Sequence, residues 1–136
     1  MIEVGCRCGA IVLQIDGEPL SQVYCHCADC QAAHGAAYAL NVIHPADAVR
    51  IVLGEPAATA VRSTPRIGCP ACRTHLFTEV ASAGLRSINA YILPRETFRP
   101  QCHIHCADAV LPVVDDLPHY LGLPAAFGGS DATADW

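Results

Sequence analysis

The segment Cys25-His26-Cys27-Ala28-Asp29-Cys30 places three cysteines within six residues. Two cysteine pairs lie outward from it, Cys6-Arg7-Cys8-Gly9 on one side and Cys69-Pro70-Ala71-Cys72 on the other. Cysteines separated by one or two residues at a turn can direct both thiolates at one ion, and zinc takes four such ligands in a tetrahedron. These seven of the nine cysteines therefore predict a zinc protein.

The seven cysteines suffice for two zinc ions per chain. One set, the four-cysteine cluster, joins the two outer pairs: Cys6, Cys8, Cys69 and Cys72. The other set is the three-cysteine cluster: Cys25, Cys27 and Cys30. The first set would form a closed site that ties distant hairpins together, so that zinc binding contributes folding energy. The second would leave one position open for water, a histidine or a substrate thiol, as is typical of a reactive zinc.

Other arrangements of the cysteines stay open at this point. Spacing alone does not say which pairs share an ion, because Cys6 and Cys8 could also complete a site with part of the three-cysteine cluster. One zinc with the remaining thiols free is a second alternative. An iron–sulfur cluster lacks its usual spacing, and the absence of an export signal disfavours disulfides.

The remaining cysteines and several histidines are weaker candidates. Cys102 and Cys106 alternate with polar residues and are expected to be small buried hydrophobes of a strand. His103 lies on the opposite face of that strand and could reach an open zinc. His34 follows the three-cysteine cluster by four residues and could lie near the same ion, whereas His26 is expected to point outward.

Short apolar runs end at Gly, Pro or Asp about every ten residues, which predicts a mainly β fold. The predicted strands are Ala10–Ile15, Ala36–Ile43, Val49–Leu53, Ala58–Ser63, His75–Val80, Ser87–Leu93 and Gln101–Cys106. Only Cys27–Gly35 is expected to form a helical turn or two. The length of 136 residues fits one domain, predicted over residues 1–127, followed by a flexible tail over residues 128–136.

Composition narrows the function classes. The net charge is -5 and all eight basic residues are arginine, so a basic stripe for nucleic acid is missing and no nucleic-acid partner is predicted. No signal peptide and no apolar run long enough for a membrane span is found, so neither export nor a membrane is predicted. We therefore expect a cytoplasmic protein whose thiols stay reduced. The oligomeric state is not predicted.

The ordered motifs resemble one known family. Cys6-x-Cys8-Gly9, Cys25-His26-Cys27-x-x-Cys30, Cys69-Pro70-x-Cys72 and Pro100-x-x-His103-Ile104 are similar to those of the glutathione-dependent formaldehyde-activating enzymes, a family that includes centromere protein V. Asp116-Leu117-Pro118 also fits, and the resemblance runs from about Val4 to Pro124.

The resemblance implies a β-tent of small antiparallel sheets pinned by zinc. It implies that the four-cysteine cluster holds a structural zinc and the three-cysteine cluster a second, labile zinc. The implied activity is that of a carbon–sulfur lyase, S-(hydroxymethyl)glutathione synthase, which joins formaldehyde or a related aldehyde to glutathione or another thiol. Cys27, the middle ligand, is the predicted catalytic residue. A non-catalytic zinc-binding module and a thiol or zinc redox sensor are the alternative functions.

Two positions depart from the family pattern. Arg73 follows the Cys69-x-x-Cys72 turn where the family favours glycine, and this position often requires a positive φ. Leu111 stands where a tryptophan is usual after the Pro100-x-x-His103 strand. Because the metal ligands are retained, family membership is predicted more firmly than the substrate.

Overall fold

The computed structural model describes residues 1–62 and 64–136. These residues form ten strands and one α-helix. The strands are β1 (Ile2–Gly5), β2 (Val12–Ile15), β3 (Ser21–Cys25), β4 (Ala39–Pro45), β5 (Val49–Leu53), β6 (Ala57–Val61), β7 (Thr64–Gly68), β8 (His75–Val80), β9 (Leu85–Asn89) and β10 (Cys102–Ile104). Helix α1 spans Ala28–His34. The mainly β fold predicted from the sequence is confirmed.

The strands form two sheets that enclose the main core. Strands β1, β2 and β5 make a three-stranded antiparallel sheet. The other seven follow the order β10-β3-β4-β9-β8-β7-β6, in which β10 and β3 are parallel and the other neighbours antiparallel. Leu13 of the smaller sheet belongs to the same buried cluster as Phe77 and Ile88 of the larger one. Burial of these apolar side chains between the sheets is the main non-metal contribution to stability.

Strands β5 and β8 have the bounds that the sequence predicts, and other predicted strands overlap observed ones. The strand predicted to reach Leu93 ends at Asn89, because the Asn89 side chain accepts a hydrogen bond from the Tyr91 amide and caps a 3-10 turn. The strand predicted to reach Cys106 ends at Ile104, because His105 adopts a φ of 55°. The predicted Ala58–Ser63 strand overlaps β6, but residue 63 lies outside the described residues.

Strands β1, β3 and β7 were not predicted. Strand β7 has the sequence Thr-Pro-Arg-Ile-Gly, in which proline and glycine disfavour a strand. It forms nevertheless, because β6 and β8 pair with it on its two sides. In strand β3, buried residues alternate with half-buried ones. The sequence does not show this alternation, because Val23, Tyr24 and Cys25 are three consecutive apolar residues.

Helix α1 begins and ends at residues suited to its termini. The Cys27 sulfur caps its first turn by accepting a hydrogen bond from the Cys30 amide, and Gly35 ends the helix with a φ of 59°. The predicted helical turns in Cys27–Gly35 are therefore found. Among the described residues, no helix is long and apolar enough to cross a membrane.

The predicted tail lies along the preceding segment. The Leu121 amide donates to the Ala132 carbonyl at 2.7 Å and the Ala134 amide donates to the His119 carbonyl at 2.8 Å. The Trp136 ring lies 5.1 Å from the His119 ring. The domain boundary at residue 127 and the flexibility of residues 128–136 stay predictions.

Core packing predicts a large effect of one substitution in the smaller sheet. Leu13 is fully buried, so Leu13→Ala should lower the free energy of unfolding by about 2–5 kcal/mol. Leu53, on β5 of the same sheet, is 55% exposed. Leu53→Ala should therefore change the free energy of unfolding by less than about 0.5 kcal/mol. Urea unfolding at constant zinc concentration measures both values. Equal effects would contradict the assignment of Leu13 to the core.

Candidate metal centre

The four-cysteine cluster brings together two turns from different sheets. Its thiol sulfurs all lie within 4.8 Å of one another. The Cys6 and Cys8 sulfurs are 3.6 Å apart, and the Cys8 and Cys69 sulfurs, 61 residues apart in sequence, are separated by 3.8 Å. Four sulfurs at zinc–sulfur bond length in a tetrahedron lie about 3.8 Å from one another. The sulfur spacing therefore fits a zinc ion, and Cys6 and Cys8 group with the later pair and not with the three-cysteine cluster.

Backbone amides of the two turns point at the cluster's sulfurs. The Ile11 amide donates to the Cys6 sulfur at 3.3 Å, and the Cys72 amide donates to the Cys69 sulfur at 3.5 Å. Hydrogen bonds from the Thr74 hydroxyl and amide lower the pKa of Cys72 to about 5. Such donors stabilise thiolates, which are the form that binds metal.

The three-cysteine cluster lies where β3 passes into α1. Cys25 ends the strand, Cys27 caps the helix, and Cys30 lies in its first turn, so that three sulfurs fall within 4.8 Å of one another. Cys25 and Cys30 are buried, whereas Cys27 is partly exposed. The fold thus places the three predicted ligands together and leaves Cys27 the most accessible of them.

A buried arginine lies against this cluster. Arg66 is 8% exposed, and its Nη1 atom donates to the Cys30 sulfur at 3.5 Å and to the Thr78 hydroxyl at 2.9 Å. The Asn41 side-chain amide also points at the Cys30 sulfur, at 4.0 Å. Three thiolates around one zinc leave a net charge of about -1. A guanidinium beside Cys30 would offset this charge.

The three thiols differ in how readily they ionise. Hydrogen bonds from Cys25 and Cys27, followed by those from Arg66, hold the pKa of Cys30 well below its usual range. Hydrogen bonding to Cys27 and Cys30, together with burial, raises the pKa of Cys25. The Arg66 guanidinium therefore favours the thiolate form of Cys30.

The candidate histidines do not join the three-cysteine cluster. His34 packs against the His75 ring, with ring centroids 4.5 Å apart. His26, expected to point outward, is fully buried, and its Nε2 lies 2.9 Å from Nδ1 of His103. His103 Nε2 in turn donates to the Asp115 carboxylate at 2.8 Å. Burial lowers the pKa of His26 to about 4, so the imidazole is neutral at pH 7.

Two polar residues near His103 were missed from the sequence. Asp115 accepts from His103 through one carboxylate oxygen and lies 3.0 Å from His119 Nε2 through the other. Ligand atoms of His103, Asp115 and His119 lie within 4.8 Å of one another, close enough to share a metal ion. The segment that carries Asp115 lacks periodic structure, so no spacing pattern connects it to His103. Cys102 and Cys106 are buried, as expected.

Two cysteine clusters on a mainly β scaffold define a protein able to bind metal, with a donor set suited to zinc. The chain belongs to the glutathione-dependent formaldehyde-activating enzyme family, whose model matches residues 1–108. Both cysteine clusters and His103 lie within this range, whereas Asp115 and His119 lie beyond it. The family implies glutathione-dependent activation of formaldehyde.

Among solved structures, the chain is similar to a Rhodobacter sphaeroides protein. The sequences are 19% identical, the TM-score is 0.55, and the match covers 73% of this chain and 92% of that one. At this identity the likeness concerns the fold alone. A comparison with curated proteins finds no match.

The turn after Cys72 predicts a stabilising substitution. Arg73 has a φ of 65°, the left-handed conformation expected at this family glycine position. Arg73→Gly should raise the free energy of unfolding by about 0.5–1 kcal/mol, because relief of strain exceeds the extra chain entropy of glycine. Arg50→Gly, in the extended strand β5, serves as the control and should lower the free energy of unfolding. Denaturant titration at fixed zinc measures both, and a decrease for Arg73→Gly would contradict the argument.

The two clusters should respond differently to loss of one ligand. Cys69→Ser removes a crosslink between the two sheets, and structural zinc contributes on the order of 10 kcal/mol in small zinc domains, so the variant should be unfolded. Cys27→Ser affects a cluster that closes only a short loop, so the variant should stay folded and hold about one zinc fewer. Circular dichroism melting and zinc analysis measure these properties.

The same pair of variants identifies a wrong assignment. An unfolded Cys27→Ser variant beside a folded Cys69→Ser variant would show that the closed and open sites are reversed. Unfolding of both would make both sites structural. Iron in place of zinc, or metal content near zero in the parent protein, would contradict the zinc assignment altogether.

Proposed function

We propose that this protein is a zinc-dependent carbon–sulfur lyase that joins glutathione, or another thiol, to formaldehyde or a related aldehyde. Family membership supports the pair of substrates. The observation that carries the site assignment is the three-cysteine cluster, which offers three thiol ligands next to a buried guanidinium. In this proposal the four-cysteine cluster holds a structural zinc and the three-cysteine cluster a second, labile zinc.

The residues of the second zinc site have different proposed roles. Zinc bound there supplies Lewis-acid stabilisation of a substrate thiolate. Cys25 and Cys30 are buried and anchor the site, and Arg66 offsets its negative charge. Cys27 is the most accessible of the three cysteines, so we assign it the catalytic role, as the ligand able to contact substrate.

The proposed reaction needs no oxidant or reductant. A sulfur lone pair forms the new bond to the aldehyde carbon, and the carbon–oxygen π pair moves to oxygen. The oxygen then takes a proton, equivalent to the one that the thiol released. The reverse steps expel the aldehyde. The proposal also places the protein in a reducing compartment such as the cytoplasm, because metal-binding thiolates must stay unoxidised.

NMR exchange spectroscopy of glutathione and formaldehyde tests this proposal. Zinc-loaded protein should raise the rate of exchange between free glutathione and S-(hydroxymethyl)glutathione in proportion to its concentration. Folded Cys27→Ser should lose the increase, because one of three ligands is gone. The spontaneous reaction without protein is the control.

An exchange rate equal to the spontaneous rate would contradict the proposed lyase activity. Zinc release by a mild oxidant in the same preparation, without any rate increase, would instead favour the redox sensor. A rate increase that is retained in Cys27→Ser would support the enzyme activity and contradict the catalytic role of Cys27.

A further inference from the structure

A large cavity lies on one face of the seven-stranded sheet, beside the three-cysteine cluster. Its volume is about 680 Å³. The walls are mainly apolar and include Val23, Ile43, Leu85, Ile104, Leu123 and Phe127. Cys30 and Arg66 also line it, so the cavity borders the proposed reaction site directly. Volume and lining are typical of a site for an apolar small molecule.

The sheet register places a row of cavity-lining residues across neighbouring strands. Arg66 pairs with Thr78, Thr78 with Ser87, and Ser87 with Ile43. Residues paired in this way project from the same face of a sheet. The row therefore runs from the guanidinium beside Cys30, through two hydroxyls, to the apolar wall.

Two polar atoms in this row are buried without a partner among the described residues. They are Nε of Arg66 and the hydroxyl oxygen of Ser87. Arg66 and Ser87 are both 8% exposed. Buried polar atoms without partners are uncommon in folded proteins and call for an explanation such as a ligand. Both residues line the cavity, so polar atoms of a ligand held there could pair with them.

The cavity is far larger than formaldehyde requires. Its volume equals that of roughly twenty water molecules, whereas formaldehyde has two heavy atoms. Glutathione does not explain the apolar walls either, because it is a tripeptide with charged ends. An apolar group therefore belongs to the carbonyl partner.

We infer that the cavity binds a carbonyl compound with an extended apolar chain, whose carbonyl oxygen accepts hydrogen bonds at the Arg66–Ser87 end. The inference rests on the proposed function and names the substrate class of the same site. In the addition step the sulfur lone pair forms the bond to the carbonyl carbon, and the π pair moves to the oxygen. Arg66 faces the negative charge that develops on this oxygen, which then takes the proton released by the thiol.

Binding of unreactive probes tests the cavity apart from catalysis. Isothermal titration calorimetry with zinc-loaded protein should show that hexanamide binds on the order of a hundredfold more tightly than acetamide, since four more methylene groups leave water. In both probes the amide carbonyl oxygen takes the place of the aldehyde oxygen. In the exchange assay, hexanal should give a higher kcat/KM than formaldehyde with glutathione.

Two variants locate the probe in the cavity. Ser87→Ala removes a hydroxyl that has no partner in the part of the chain that the structure describes, so the fold should be retained while hexanamide affinity falls roughly three- to tenfold. Ala126 lies in an exposed turn at the cavity, and Ala126→Trp should obstruct it and weaken binding at least as much. Ala107→Trp, in an exposed turn that does not line the cavity, is the matched control and should leave hexanamide binding unchanged.

The outcomes separate the inference from the proposed function. If the protein catalyses the reaction with formaldehyde but binds hexanamide and acetamide equally, the inference is overturned and the proposed lyase activity is supported. Tight hexanamide binding that is lost in Ala126→Trp, without catalysis on any aldehyde, would support the cavity and contradict the lyase. Equal hexanamide binding by Ala126→Trp and Ala107→Trp would place the probe elsewhere and overturn the inference.

Discussion

The convergence of the four-cysteine cluster is the constraint on which the rest of the structure depends. Cys6 and Cys8 lie at the turn between β1 and β2, and Cys69 and Cys72 at the turn between β7 and β8. The first turn belongs to the three-stranded sheet and the second to the seven-stranded sheet. The Cys8 and Cys69 sulfurs lie 3.8 Å apart between these turns, so the two sheets that share the core also meet at this cluster.

The same arrangement positions the second cluster and its surroundings. Strand β3 carries Cys25, and β4, β9 and β8 connect it through the sheet to β7, which carries Arg66. The guanidinium can therefore lie beside Cys30 although the two residues are 36 positions apart in sequence. A sheet is well suited to hold a charged group against a candidate metal ligand, because β3 and β7 are each paired with strands on both sides.

The chemistry of the site follows from the balance of charge and apolar surface. Three thiolates on one metal ion would need a positive charge nearby, and the buried Arg66 side chain lies beside Cys30, where it could provide that charge. The mainly apolar walls of the cavity lie next to this buried charge, and interactions between charges are stronger beside apolar surface than in water. This member of the formaldehyde-activating family thus has a three-cysteine cluster that borders a large apolar cavity.

The sequence by itself determined the local features of this protein. Cysteines one or two residues apart predict turns that direct sulfurs at one ion, and short interrupted apolar runs predict strands, because both signals lie within a few residues. The unpredicted strand β7 contains proline and glycine, and its formation depends on its neighbours. Only the tertiary structure decided that Cys6 groups with Cys69, that Arg66 lies against Cys30, and that Asp115 reaches His103. These contacts join residues far apart in the chain, and their geometry is set by sheet order and register, which no local pattern in the sequence encodes.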